Sequence, residues 1–193
     1  MNGLVEIKTP QILSLIEAET AALGFGMASE RPVGAMLRTL AASKRQAELL
    51  ELGTGTGISA AWLLDGMDAE SHLTTVDDDE VCVEIARRHL GADPRITFRI
   101  ADGAEFLLNL QGAQFDLIFA DAWPGKFDHL DQALAALKIG GFYVIDDLLP
   151  QPNWPENHAA KIAALLETLA QRHDLTTCSL AWSSGLLVAT RIV

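Results

Sequence analysis

The sequence predicts a doubly wound α/β fold with a mostly parallel seven-stranded sheet that ends in an antiparallel hairpin. Three observations carry this expectation. Five apolar runs, at about 47–52, 72–77, 95–100, 115–120 and 140–146, alternate with segments of helical period. A glycine-rich turn, Gly53-Thr54-Gly55-Thr56-Gly57, follows the first run. Two more apolar runs close the chain, separated only by Ser183-Ser184-Gly185, which is too short for a crossover between parallel strands.

Taken in order, two helices come first. Ile12, Leu15, Ile16 and Leu23 are spaced to share one face. So are Val33, Met36, Leu37, Leu40 and Ala41, in a helix that Pro32 can start. The strand-helix alternation that follows implies a parallel sheet covered on both faces. Its clearest helix carries Leu130, Ala133, Leu134 and Leu137, and a last helix carries Ala159, Ile162, Ala163, Leu166, Leu169 and Ala170 on one face. Trp62 and Trp182, inside a helix and a strand, are assigned to the core. Residues 148–155 (LLPQPNWP) form an apolar, proline-rich loop at the edge where α/β sheets bind ligands. With 193 residues, 49% of them hydrophobic, the chain has material for one core, so a single domain is expected. Residues 1–45 form its helical cap and 46–193 its sheet-bearing core.

The charge narrows the partners. Fourteen Lys+Arg against 26 Asp+Glu give a net charge of −12, which excludes a phosphate-backbone footprint and argues against anionic membranes. A small neutral or cationic ligand suits this balance. No apolar stretch near the start serves as a signal peptide or span, because Glu6, Lys8, Glu17 and Glu19 interrupt it. Cys82 and Cys178 have no metal-ligand spacing and read as buried thiols of a reducing, cytoplasmic compartment. The N-terminal helices expose no obvious seam, and a homodimer stays open.

The chemistry starts at residues 51–59, ELGTGTGIS. Glycines here allow a tight turn and bring backbone N–H groups against a ligand. The dinucleotide fingerprint requires a third glycine at position 58, which is Ile58, so the pattern is G-x-G-x-G preceded by Glu51. Asp77, at the end of the second strand, can accept both hydroxyls of a ribose. Asp102, Gly103 and Ala104 follow the third strand, where a carboxylate and free backbone groups suit an adenine edge. Each feature alone is explained by a turn or helix cap, and Asp77, Asp78 and Asp79 precede a helix. All three together, at successive strand ends, point to a nucleoside.

This set resembles the class I S-adenosylmethionine-dependent methyltransferases, in particular the catechol and caffeoyl-CoA O-methyltransferase family, from about Met27 to Asp147. The resemblance implies a Rossmann-like core. It also implies S-adenosylmethionine as cofactor, with Glu51, Gly53, Gly55, Gly57, Ser59 and Asp121 among the residues that bind it and Gly53 and Ser59 near its amino-acid end. Asp77 would then hold the ribose, Asp102 to Ala104 would line the adenine, and Ser29 would close over the cofactor. The implied activity is methyl transfer to a hydroxyl of a small molecule.

Carboxylates gather at the same edge. Asp121 ends the fourth strand, and Asp146 and Asp147 end the fifth. Three oxygen ligands suit Mg²⁺ or another divalent cation, and the family's metal-dependent members carry an aspartate and an Asp-Asn pair at these places. Two departures stand out. Asp147 replaces the asparagine, and Pro124 replaces a lysine common three residues after the first aspartate. Lys126 becomes the candidate base or electrostatic partner beside Asp121. A metal site and a metal-free carboxylate cluster facing the sulfonium both stay open. His129 and His158 read as solvated helix residues. Trp123 and Trp154 read as rigid walls for a flat acceptor. An N-methyl or aminopropyl transferase is the alternative on the same cofactor-binding fold.

Overall fold

The structure is a computed structural model describing residues 6–112, 114–152 and 154–193. Helices α1 (Leu13–Leu23) and α2 (Arg31–Ala42) precede an alternating series: β1 (Glu48–Leu52), α3 (Ile58–Gly66), β2 (His72–Asp77), α4 (Glu80–Leu90), β3 (Ile96–Ile100), α5 (Gly103–Leu108), β4 (Phe115–Ala120), α6 (Leu130–Ala136) and β5 (Leu137–Ile145). Helix α7 (His158–Ala170) and strands β6 (Leu175–Leu180) and β7 (Leu186–Arg191) complete the chain. The seven strands form one sheet in the order β3-β2-β1-β4-β5-β7-β6. Pairing is parallel from β3 to β5, and β7 runs antiparallel to both β5 and β6. The expected Rossmann-like sheet with its C-terminal hairpin is therefore present, with β7 inserted between β5 and β6.

Alternation along the strands builds two cores. Leu49, Leu73, Leu117, Phe119 and Val144 face α1, α2 and α3, packing with Leu13, Leu37 and Trp62. Leu50, Val76, Ile118, Tyr143 and Ile145 face the other way, onto Ala133 and Leu134 of α6 and Leu165 and Leu169 of α7. A residue shift of one thus changes layers, as the period of a strand demands.

Several expectations are corrected. The buried stripe of α1 is Leu13, Ile16 and Thr20, while Leu15 (55% exposed) and Leu23 face solvent. Thr20 is buried because its hydroxyl bonds the Ile16 carbonyl and the Thr56 hydroxyl, both at 2.7 Å. In α7 the buried residues are His158, Ile162, Leu165 and Leu169, and Ala159, Ala163 and Ala170 are exposed. Strand β5 begins at Leu137, because its register against β4 shifts between Phe115 and Leu117 and absorbs the extra residues. Trp182 lies in the turn between β6 and β7 and is 44% exposed, so it is not core. Cys178 is exposed, since edge strand β6 buries only Leu175, whereas Cys82 is buried. Among the described residues, no helix is long and apolar enough to cross a membrane.

Trp62 is fully buried and sits where α2 crosses α3. A Cβ on Gly34 of α2 would lie 2.2 Å from its indole ring. Gly34→Ala gains about 1 kcal/mol of helix propensity and suffers about 1–3 kcal/mol of overpacking against a side chain that fills its site. The contact at 2.2 Å puts the outcome at the costly end. Urea denaturation is expected to show a net loss of about 1–2 kcal/mol; equal or greater stability would mean that the α2–α3 seam is looser than described.

Candidate active site

Strands β1 and β4 are neighbours whose following helices, α3 and α6, cover opposite faces of the sheet. A crevice opens at such a switch point, beyond the strands' C-terminal ends. Gly53, with φ +100°, turns the chain there, and a Cβ on it would lie 2.8 Å from the Asp121 carbonyl oxygen. A Cβ on Gly55 would reach the Phe25 ring at 3.2 Å and fill space between the turn and the segment after α1. Gly57 answers to a different demand. Its Cβ would meet the Ala86 Cβ at 2.7 Å, so it serves α3–α4 packing and is buried behind the cleft.

The aspartates after β2 divide their tasks. Asp79 caps α4, its Oδ1 accepting from the N–H groups of Val81 and Cys82 at 3.0 and 3.1 Å. Asp77 is thereby released from capping. Its Oδ2 accepts from the Gly55 N–H at 2.7 Å and its Oδ1 from the Asp79 N–H at 2.9 Å. Each oxygen retains a lone pair for a hydroxyl donor. Asp102 does cap α5, accepting from Ala104 and Glu105 N–H at 2.7 and 3.0 Å, and it also lines the cleft with Gly103 and Ala104.

Glu51 stands behind this lining, fully buried. Its Oε2 accepts from the Thr75 hydroxyl at 2.5 Å, and Thr54 and Thr75 share a further bond at 2.6 Å. Burial pushes its carboxyl up to about 7, against the pull of the Ser59 and Thr75 hydroxyls. The acid before the glycines thus ties β1, its turn and β2 together without reaching the cavity.

Three adjoining cavities share Ala122 and Trp123. The first, about 490 Å³, lies between the Gly53–Thr56 turn, Ser59, Asp77 and residues Phe25 to Ser29. The second, about 330 Å³, continues past Asp77 to Asp102, Gly103, Ala104, Asp128 and His129. The third, about 320 Å³, lies beyond Asp121, between Met27, Lys126, Asp146, Asp147, Trp154, His158 and Ser184. Asp121 and Ser29 border both the first and the third, and the Ser29 hydroxyl donates to Asp121 Oδ2 at 3.1 Å.

The third cavity is a concentrated charge site. Burial and the charge of Asp146 hold the Asp121 carboxyl well above the usual carboxylate range, opposed by Lys126 and the Ser29 bond. Burial also raises Asp146, against bonds from the Ser184 hydroxyl and the Asp147 N–H. Lys126 is only 4% exposed; burial lowers its pKa, and Asp121, Asp147 and Asp146 push it back.

A divalent-ion site on Asp121, Asp146 and Asp147 does not fit this arrangement. Asp146 Oδ1 already accepts from Ser184 Oγ and, at 2.6 Å, from the Asp147 N–H. Asp147, at φ +61°, turns both oxygens onto the Trp154 indole N–H at 3.0 and 2.9 Å. The buried cation beside them is Lys126. Among the described residues no three Asp, Glu, His or Cys side chains cluster as metal ligands.

Both histidines depart from the solvated reading. His129 takes a left-handed φ of +58° before α6 and lines the second cavity. His158 is buried at the start of α7, because Trp154 and Phe127 cover its ring. Trp123 and Trp154 do line the third cavity. Sequence reasoning missed Phe25, Met27 and Ser184. The apolar residues interrupting the glycines of GFGM were a usable signal for the first two, whereas Ser184 looked like an ordinary turn residue.

Comparisons with known proteins bear on the family and the fold. Residues 49–141 match the family described as a methyltransferase domain. A Mycobacterium tuberculosis protein described as a probable O-methyltransferase is 32% identical over 188 residues, covering 92% of this chain and 84% of its own. The O-methyltransferase TomG from Streptomyces achromogenes, solved in complex with SAM, superposes with a TM-score of 0.85 at 24% identity, covering 98% of this chain and 93% of its own. The O-methyltransferase from Bacillus cereus in complex with SAH gives a TM-score of 0.82 at 21% identity, covering 97% of this chain and 93% of its own.

Glu51 supplies a pH test of the buried floor. Its folded value of about 7 lies above the ordinary 4.5, so the folded form holds the proton more tightly. The stability this contributes is full below about 4.5 and lost as pH rises through about 7. Relative to Glu51→Gln, the wild type is expected to lose about 3 kcal/mol between those limits in urea titrations. A pH-independent difference would contradict the burial of an ionisable Glu51.

Proposed function

The chain belongs to the O-methyltransferase family, and from that premise we propose that it methylates a hydroxyl of a small aromatic acceptor, using S-adenosylmethionine and Lys126 rather than a divalent ion. The observation that carries this reading is the junction at Asp121, where a nucleoside-sized cleft meets a second, charged cavity.

The residues fit the cofactor. At Gly53 a Cβ would strike the Asp121 backbone and at Gly55 it would crowd the Phe25 ring, so the cradle presents bare backbone groups at the switch point. Asp77 offers a carboxylate for ribose hydroxyls, and Asp102 to Ala104, with His129, border space for the base. When bound, S-adenosylmethionine would supply an electrophilic methyl group for the acceptor oxygen, whose proton must pass to a base of this chain.

This chain's own contribution is positioning and charge. Trp123 and Trp154 wall the third cavity and hold a flat acceptor, which supplies much of the acceleration such a transfer needs. The Lys126 ammonium stabilises the acceptor oxygen as it becomes anionic, in a site where burial strengthens the interaction. Asp121 Oδ1, the oxygen turned away from Ser29, receives the proton, and burial makes that carboxylate a stronger base than a solvated one. The negative wall formed by Asp121, Asp146 and Asp147 favours neutral or cationic acceptors over anionic ones.

Turnover of catechol with S-adenosylmethionine, measured in EDTA, tests the proposal. Lys126→Met is expected to lower kcat by about 100-fold, with cofactor affinity by calorimetry unchanged, because Lys126 borders the third cavity and neither of the first two. Loss of wild-type turnover in EDTA would return the aspartates to a metal, and an unaltered kcat would remove Lys126 from the reaction.

A further inference from the structure

His158 is 5% exposed, and neither of its ring nitrogens has a hydrogen-bond partner among the described residues. Its ring is held on two sides, edge-on to Phe127 with centroids 5.1 Å apart and tilted against Trp154 at 4.5 Å. The one charged oxygen nearby, Asp147 Oδ2, stands 3.8 Å from Nε2, too far for a hydrogen bond, and is turned to Trp154. The imidazole borders the third cavity, which Trp123 also lines. A buried polar group without a partner is costly, and such groups in a cleft are commonly completed by what binds there.

We propose that His158 is a specificity residue that hydrogen-bonds a second oxygen of the acceptor, apart from the hydroxyl that is methylated. The acceptor class is then a phenol carrying a further uncharged hydroxyl or carbonyl. The inference rests on the O-methyl transfer reading. Burial and the nearby Lys126 hold the imidazole in its neutral form, with Asp147 alone pulling the other way and Lys161 adding to the first effect. A neutral ring offers one donor and one acceptor, which a hydroxyl satisfies in either orientation. Lys161 is occupied elsewhere, its Nζ lying 4.2 Å from the Trp123 ring centroid.

The test uses the full chain saturated with S-adenosylhomocysteine and two phenols of equal shape, 4-(hydroxymethyl)phenol and 4-ethylphenol. Calorimetry is expected to show the alcohol binding about tenfold more tightly to the wild type. His158→Phe keeps a flat ring, removes both nitrogens and should bring the ratio to about one, and His158→Gln should restore part of it. The KM ratio in turnover should follow, with the kcat ratio unmoved. If His158→Phe fails to fold, ¹⁵N resonances of the wild-type imidazole decide: they should shift with the alcohol and stay in place with 4-ethylphenol. Binding and methylation of both phenols with an equal ratio in wild type and variant, or an imidazole insensitive to the alcohol, would overturn the role of His158 alone. Failure of both phenols to bind or be methylated would instead defeat the phenol O-methyl transfer reading itself.

Discussion

The structure depends on how closely two backbone turns approach at the centre of the sheet. Gly53 after β1 lies against Asp121 after β4, with a Cβ-to-oxygen separation of 2.8 Å if any side chain were added. Because α3 and α6 leave this point toward opposite faces, the turns cannot be covered by either helix, and the cleft is the space left between them. The Gly55–Asp77 bond then fixes the turn against the end of β2, and the Glu51–Thr75 bond fixes it from below. Cofactor side and acceptor side are organised from one place.

In the third cavity the fold gathers three carboxylates around one lysine. Burial raises Asp121 and Asp146, and the bonds from Ser29, Ser184 and the Asp147 N–H oppose that rise, while the Trp154 indole engages Asp147. The bond from Trp154 orients Asp147. Its left-handed backbone directs the carboxylate to the Trp154 indole, and a wall of the cavity is thereby fixed in place. Lys126 lies on a turn that Tyr143 anchors by donating to the Gly125 carbonyl.

The strands and the cofactor edge were legible because periodicity and glycine spacing are local signals. Runs at 47–52, 72–77, 95–100 and 115–120 match β1 to β4 closely. Faces of short helices were less legible. Leu15 and Leu23 looked like core by spacing, yet Thr20 takes the buried position through hydrogen bonds to Ile16 and Thr56, the second of them remote in sequence. The same limit applies to the site. Asp121, Lys126, Trp123 and Trp154 follow strands and were readable from position, whereas the burial of His158 depends on Phe127 and Trp154 reaching it across the fold. Ser184 comes from the far hairpin, where nothing in a Ser-Ser-Gly turn signals a partner for Asp146.

The claim on which the rest stands is that the Gly53–Gly55 turn and Asp77 together hold a nucleoside. Calorimetry of S-adenosylhomocysteine binding to the wild type and to Asp77→Ala tests it directly. The account requires binding by the wild type and a loss of about 10- to 100-fold on removing the carboxylate, as for hydrogen bonds to a charged group. No binding at millimolar ligand, or equal affinity in the two proteins, would contradict it.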